Sequence, residues 1–333
     1  LSALERLHLR GNKIRDLDLG ICNWPSLESL DVSNNQLRVV QRLDILSDSL
    51  CSLNLDGNKL QTLGAPSLPK LRILRLSDNS LKTIELRGMP ALRTLYADGN
   101  ALRAGTIQSL GKLKKLENLS LRNQGGSQCA VVVGREIRDV KRLYLSANPL
   151  PTHFLQEACF SVVYLELAAC RLESLPSDMA QLVPNVRVLN LNYNFLLDLS
   201  PLAGLSRMRK LTIIGSRLQS ARNVLRVLRS MPDLEMTDFR MNPFSLGWYL
   251  PLLVRDVPGA LQPTESGSRK VGLGSTWEEL DRKFRGDLPD GSYIGRLAYR
   301  GLVMEACQGI EQIDGVGVKE EERAKAQQLL RGV

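Results

Sequence analysis

The chain is short of aromatic residues, has only two histidines and carries no long apolar run, and each shortage removes a class of function. Phe, Trp and Tyr make up 5% of its 333 residues, so a core of stacked rings is not expected and surface aromatics stand out. His8 and His153 are the two histidines, and neither has a cysteine or carboxylate at ligand spacing, so no metal site is expected. No stretch approaches the roughly 18 apolar residues of a membrane-spanning helix. The six cysteines (Cys22, Cys51, Cys129, Cys159, Cys170 and Cys307) form no C-x-x-C pair and cluster at neither end. That disfavours the disulfide-capped ends of extracellular repeat proteins and points to free thiols in a reducing compartment. G-x-S-x-G, H-E-x-x-H and phosphate-loop patterns are missing. Gly272-Leu-Gly274 and Gly315-Val-Gly317 lack the strand-to-helix setting of a nucleotide site. No enzyme, catalytic residue or cofactor is therefore expected. The net charge of +9 favours acidic or phosphorylated partners in general terms.

Leucine at fixed spacing is abundant. Leu71-Arg-Ile-Leu-Arg-Leu-Ser-Asp-Asn-Ser-Leu81 follows L-x-x-L-x-L-x-x-N-x-L, the leucine-rich-repeat signature. Leu74 and Leu76 are two apart, so a strand points both to one face, with Ile73, Arg75 and Ser77 on the other. Asn79 turns inward, where its amide serves backbone groups whose loss would cost about 1–3 kcal/mol each. The pattern recurs in eleven copies whose starts are 21 to 26 residues apart, with Asn12, Asn35, Asn58, Asn79, Asn100, Asn148, Asn194 and Asn242 at the turn position. Gln124, Cys170 and Ser216 replace the asparagine in the other three, marking turns with different hydrogen bonding. One unit buries nothing alone, so the copies stack. The expected fold is an α/β leucine-rich-repeat solenoid: a curved parallel sheet lining the concave face, short 3₁₀ or helical convex returns, and a helical C-terminal cap. At ~4.8 Å per strand the sheet would run roughly 50 Å. One return, Ala221 to Arg229, reads as a helix with Val224, Leu225 and Leu228 on one stripe.

The array spans 1–243 and a cap spans 244–333, with a Gly/Pro/Ser-rich loop at 255–275 followed by helices. Thr276-Trp-Glu-Glu279 reads as a capping box that starts the first of them. A second helix is expected from Tyr293 to Cys307 and a last one from Lys319 to Leu330, with Ile310, Ile313, Asp314-Gly315 and Val318 imitating one further repeat turn. Because the chain opens inside a repeat at Leu1, it reads as a fragment of a longer protein.

Recognition is expected on strand residues that alternate away from the leucines. Arg75, Tyr96, Arg122, Arg142, Tyr144 and Tyr164 gather tyrosine and arginine mid-array, residue types enriched in binding hot spots. Val188, Ile214 and Met236 form a second, apolar group nearer the cap. The bland alternative is cross-strand pairing alone, about 0.2–1 kcal/mol per pair. Paired guanidinium groups on Arg122 and Arg142 could grip a phosphate bidentately, which makes a phosphopeptide a candidate ligand.

The tail is more specific than the repeats. Trp277-Glu-Glu-Leu280-Asp-Arg-Lys-Phe284-Arg, Leu288-Pro-Asp290, Tyr293, Arg296-Leu-Ala-Tyr-Arg-Gly301-Leu-Val-Met, Cys307 and Ile313-Asp-Gly315 resemble the C-terminal region of fungal spindle-pole-body scaffolds of the mitotic exit and septation initiation networks, related to centriolin. The resemblance implies a non-enzymatic scaffold domain in the cytoplasm and cytoskeleton, at the spindle pole body. Its implied partners are a pole-body anchor and the mitotic exit GTPase-activating complex, with no membrane contact and nucleic acid not favoured. It assigns no contact residues. The rival reading is a phosphatase-targeting subunit, which would show a more acidic concave face and give the Trp277–Gly315 tail no role.

Overall fold

The computed structural model describes residues 3–21, 24–103, 107–108, 110–125, 134–250 and 273–331, and its packing divides the chain into two units, Leu1–Glu166 and Leu167–Val333. In the first unit three-residue strands lie parallel in chain order: β1 (Arg6–His8), β3 (Ser29–Asp31), β5 (Ser52–Asn54), β6 (Ile73–Arg75), β8 (Thr94–Tyr96), β10 (Asn118–Ser120), β11 (Arg142–Tyr144) and β12 (Tyr164–Glu166). Two short parallel pairs lie in the returns, β2 (Leu17–Asp18) with β4 (Val40–Gln41) and β7 (Ile84–Glu85) with β9 (Ile107–Gln108). Register places leucine beside leucine: Leu53 pairs with Leu74, Leu74 with Leu95, Leu95 with Leu119, and Leu119 with Leu143. These side chains are fully buried, so the frame read from the spacing is the frame of the fold. Single 3₁₀ turns at Leu43–Leu46 and Leu110–Lys112 serve as returns.

From Asn35 onward, each turn asparagine bridges two repeats. Asn58 Oδ1 accepts from Leu37 N (3.0 Å), while its Nδ2 donates to Val32 O (3.1 Å) and Leu55 O (3.0 Å). Asn148 repeats the arrangement with Gln124 N, Leu121 O and Leu145 O. The replacements differ as chain chemistry requires. Gln124 keeps both roles, its Oε1 accepting from Leu102 N and its Nε2 donating to Ala97 O. Ser216 Oγ serves only Leu196, accepting from its N–H and donating to its carbonyl.

The residue before the turn position takes a left-handed conformation in all eleven repeats, with φ from 47° to 73°. Four of these residues are glycine (Gly11, Gly57, Gly99 and Gly215), but Asn34, Asp78, Asn123, Ala147, Ala169, Tyr193 and Met241 adopt it against a steric cost of about 1–2 kcal/mol. The interlocked amide bonds next door hold the turn there. At Gly99 a Cβ would also stand 2.4 Å from Asp78 Oδ1, so a side chain there would have to displace the Asp78 carboxylate as well as adopt the left-handed turn.

The second unit continues the design with β13 (Val188–Asn190), β14 (Lys210–Thr212) and β15 (Met236–Asp238) in parallel. Its returns include the short helix α1 (Met179–Leu182) and the longer α2 (Ala221–Leu228), at the place the apolar stripe indicated. Ser220 caps α2 by accepting from Asn223 N. Strand β16 (Gln312–Ile313) joins β15 in parallel, and β17 (Val316–Gly317) folds back antiparallel on it. Asp314 and Gly315 join them with φ of 55° and 75°, the two positive values of a type I′ hairpin turn.

Three helices complete this unit: α3 (Leu273–Gly286), α4 (Asp290–Ala306) and α5 (Glu320–Arg331). Two expectations are corrected. Helix α3 starts at Leu273, so Thr276–Glu279 lies inside it and is not its capping box; no cap is needed where the backbone is already helical. Helix α4 begins at Asp290, because Pro289 is compatible with the entry to a helix and its carbonyl accepts from Tyr293 N. The loop expected at 255–275 falls outside the described residues up to 272, and 273–275 are helical. Residues 126–133, which follow the Gln124 replacement in sequence, likewise lie outside them.

The hairpin ends the ladder with charge. Phe239 N, which in a regular repeat would meet the next strand's carbonyl, donates to Asp314 Oδ1 (2.7 Å). Arg300, fully buried, donates to Ile313 O (2.6 Å) and holds Glu322 through Nε (2.5 Å) and Nη2 (2.9 Å). Arg296 bonds Asp281 (2.8 Å) and Trp248 O (3.0 Å) and lies over the Tyr249 ring. Tyr249 and Tyr299 are buried, with Trp248 against Tyr299 at 5.3 Å.

Candidate protein-interaction face

The strand face opposite the leucines in the first unit carries a connected group of rings and charges. Arg75 stacks on Tyr96 (4.6 Å to the ring centre) and Arg122 on Tyr144 (4.4 Å). Tyr144 meets Tyr164 at 4.9 Å between ring centres. Arg122 also forms a two-pronged bond to Glu166, Nε–Oε1 at 2.6 Å and Nη2–Oε2 at 2.9 Å, and reaches Asp98 Oδ2 at 3.3 Å. Asp98 Oδ1 in turn accepts from Ser120 Oγ and from Arg122 N. Burial works against the Arg122 charge, but Glu166 and then Asp98 outweigh it and hold its proton more tightly. Burial, then the neighbouring Glu166 carboxylate, pushes the Tyr164 phenol up.

The six mid-array candidates thus sort into two kinds. Tyr144 and Tyr164 are 9% and 8% exposed, lower than a free surface ring would be, because stacking along the strands covers them. Arg122 is spent on Glu166 and Asp98. A paired grip by Arg122 and Arg142 on one phosphate is therefore not what these side chains form. Arg142 is exposed and its one long bond goes to Asn118 Oδ1 (3.4 Å). Tyr96 and Arg75 are half-buried. Glu166 and Asp98 were overlooked as organisers; the signal was there, since Glu166 lies 44 residues from Arg122, two repeats on.

The apolar group in the second unit is not the open patch expected. Ile214 is 1% exposed; Asn192 Oδ1 takes its backbone N–H, and Arg240, at the next repeat's equivalent position, is itself buried against Asp238. Val188 and Met236 are half-buried and stand on either side of exposed Lys210 in register, so a cation interrupts the apolar row. Among the described residues no three His, Cys, Asp or Glu side chains are placed to hold a metal ion, and no helix is long and apolar enough to cross a membrane.

Comparison with known proteins agrees with this architecture. Family models described as "Leucine rich repeat" and "Leucine Rich repeats (2 copies)" match residues 48–102 and 2–46. The septation initiation network scaffold protein cdc11 of Schizosaccharomyces pombe is 32% identical over 221 residues, covering 64% of this chain. The match spans about a fifth of that relative, 21% of its length. Two solved structures share the fold: a leucine-rich-repeat protein of Leptospira interrogans (TM-score 0.52, 24% identity, 67% of this chain and 60% of that one) and the leucine-rich effector YopM of Yersinia pestis (TM-score 0.53, 22% identity, 72% and 62%). The chain carries leucine-rich repeats and is similar over those 221 residues to the septation initiation network scaffold cdc11.

Proposed function

We propose that this chain is the non-enzymatic interaction domain of a septation initiation or mitotic exit scaffold, and that it anchors the scaffold at the spindle pole body through the face of β6 to β12. The relationship to cdc11 carries the network assignment. The braced tyrosine–arginine group supports the choice of face: Arg122, Glu166, Tyr144 and Tyr164 form a preset platform, and Arg75, Tyr96 and Arg142 are the side chains left to meet a partner. A platform already ordered loses little side-chain freedom on binding. The partners this reading favours are a pole-body anchor protein and the mitotic exit GTPase-activating complex, with a phosphorylated segment meeting the outer arginines.

The test combines Tyr96→Ala with Arg142→Glu in the tagged chain and measures recovery of pole-body proteins from mitotic extract, with localisation in cells. Loss of a hot-spot pair predicts a drop of roughly tenfold or more. Unchanged recovery rejects this face, and capture of a phosphatase catalytic subunit instead favours the phosphatase-targeting reading.

A further inference from the structure

A groove of about 320 Å³ opens within the second unit between α3, α4, the start of α5 and the hairpin strand β17. Its polar floor is already satisfied in charge: Asp281 pairs with Arg296, and Glu322 with Arg300. Its rim is not. Arg282, Arg285, Lys319 and Lys325 all line the groove, and none forms an ion pair with a described residue. Against these four cations stands one unpaired carboxylate, Glu321. Half-buried Val316 and Val318 supply apolar surface beside them.

The groove also exposes a strand edge. Val318 N donates to Glu311 O (2.8 Å), and Gln312 faces Gly317. Hydrogen-bonded and non-bonded pairs alternate in an antiparallel ladder, so Gly317 is the non-bonded member, and its N–H and C=O point away from β16. Gly317 lines the groove. One occupant answers both features: backbone groups for the edge and negative charge for the rim.

We propose that this groove docks an extended acidic segment of a partner protein, added as a short strand along β17. Main-chain bonds to Gly317 set the register, and the segment's Glu or Asp side chains meet Arg282, Arg285, Lys319 and Lys325. This site is independent of the face proposed above.

The probe is a fluorescein-labelled peptide of four alternating Glu-Val units, titrated against the full 333-residue chain by fluorescence anisotropy. Saturable, salt-weakened binding is expected, with affinity falling at least about tenfold in the Arg285→Glu/Lys325→Glu variant. A Lys-Val counterpart should not bind, and a Glu-Val peptide N-methylated at alternate residues should bind about tenfold more weakly. The protein is unaltered in that last comparison, so misfolding cannot mimic the result, and matched thermal melts check the charge-reversed variant. Equal affinity of both peptides, no effect of charge reversal in a folded variant, or insensitivity to N-methylation overturns the proposal. So does capture of single-stranded DNA or anionic phosphatidylserine vesicles at that groove without peptide binding.

Discussion

Inside the repeats, a buried turn is satisfied by a neutral carboxamide; at the closing hairpin the same need is met by ions. Asn148 sits between its neighbours and serves four backbone groups with one uncharged side chain. Asp314 occupies a comparable place beside Phe239, but there β17 folds back antiparallel in place of a parallel repeat strand, and Arg300 reaches from a helix to the hairpin carbonyl and to Glu322. A repeating unit favours a local, transferable bond, because each copy meets an identical neighbour. A terminus meets something different, and long charged side chains can span the mismatch. Such pairs confer little net stability when intact and cost much when broken.

That contrast is sharpened most by removing the buried guanidinium. Arg300→Ala strands Glu322 and the Ile313 carbonyl, with an expected loss of about 3–5 kcal/mol in denaturant unfolding. Asn148→Ala leaves its four backbone partners unserved but uncharged, so a smaller loss of about 2–3 kcal/mol is expected. If the two losses were reversed in size, the contrast between ionic closure and neutral ladder would fail. Gly99→Ala should cost about 1–2 kcal/mol through its left-handed φ, with extra disturbance from the Asp78 contact.

The remaining effect is a pH slope. Burial, then the nearby Asp238 charge, pushes the Asp314 carboxyl from 3.8 up to about 6. Between those values the folded chain holds a proton that the unfolded chain has released. Stability from this group is therefore full below about pH 4 and declines as pH rises through about 6. Asp314→Asn should flatten that slope in unfolding midpoints measured across the window. Asp56, raised to about 6 mainly by burial, contributes the same sign from the first unit and remains in the variant as a residual slope.

The proposed interaction face was legible only in outline. Column arithmetic placed Arg75, Tyr96, Arg122, Arg142, Tyr144 and Tyr164 on one face, because strand periodicity and repeat length are both local. It did not show which arginine was free. Arg122 and Arg142 look alike in sequence, yet one is bound to Glu166 and Asp98 and the other faces solvent. Ile214 shows the same limit from the apolar side: its column was read correctly, and its neighbours cover it.

Leucine spacing by itself determined the strand frame, the eleven-fold repetition and the inward asparagines, since each depends on a period of two or on a residue's own hydrogen-bonding capacity. The tertiary structure alone decided which charges were already neutralised and how the ladder was closed. Those outcomes depend on distances between groups 22 to 75 residues apart, and a linear pattern does not carry such distances.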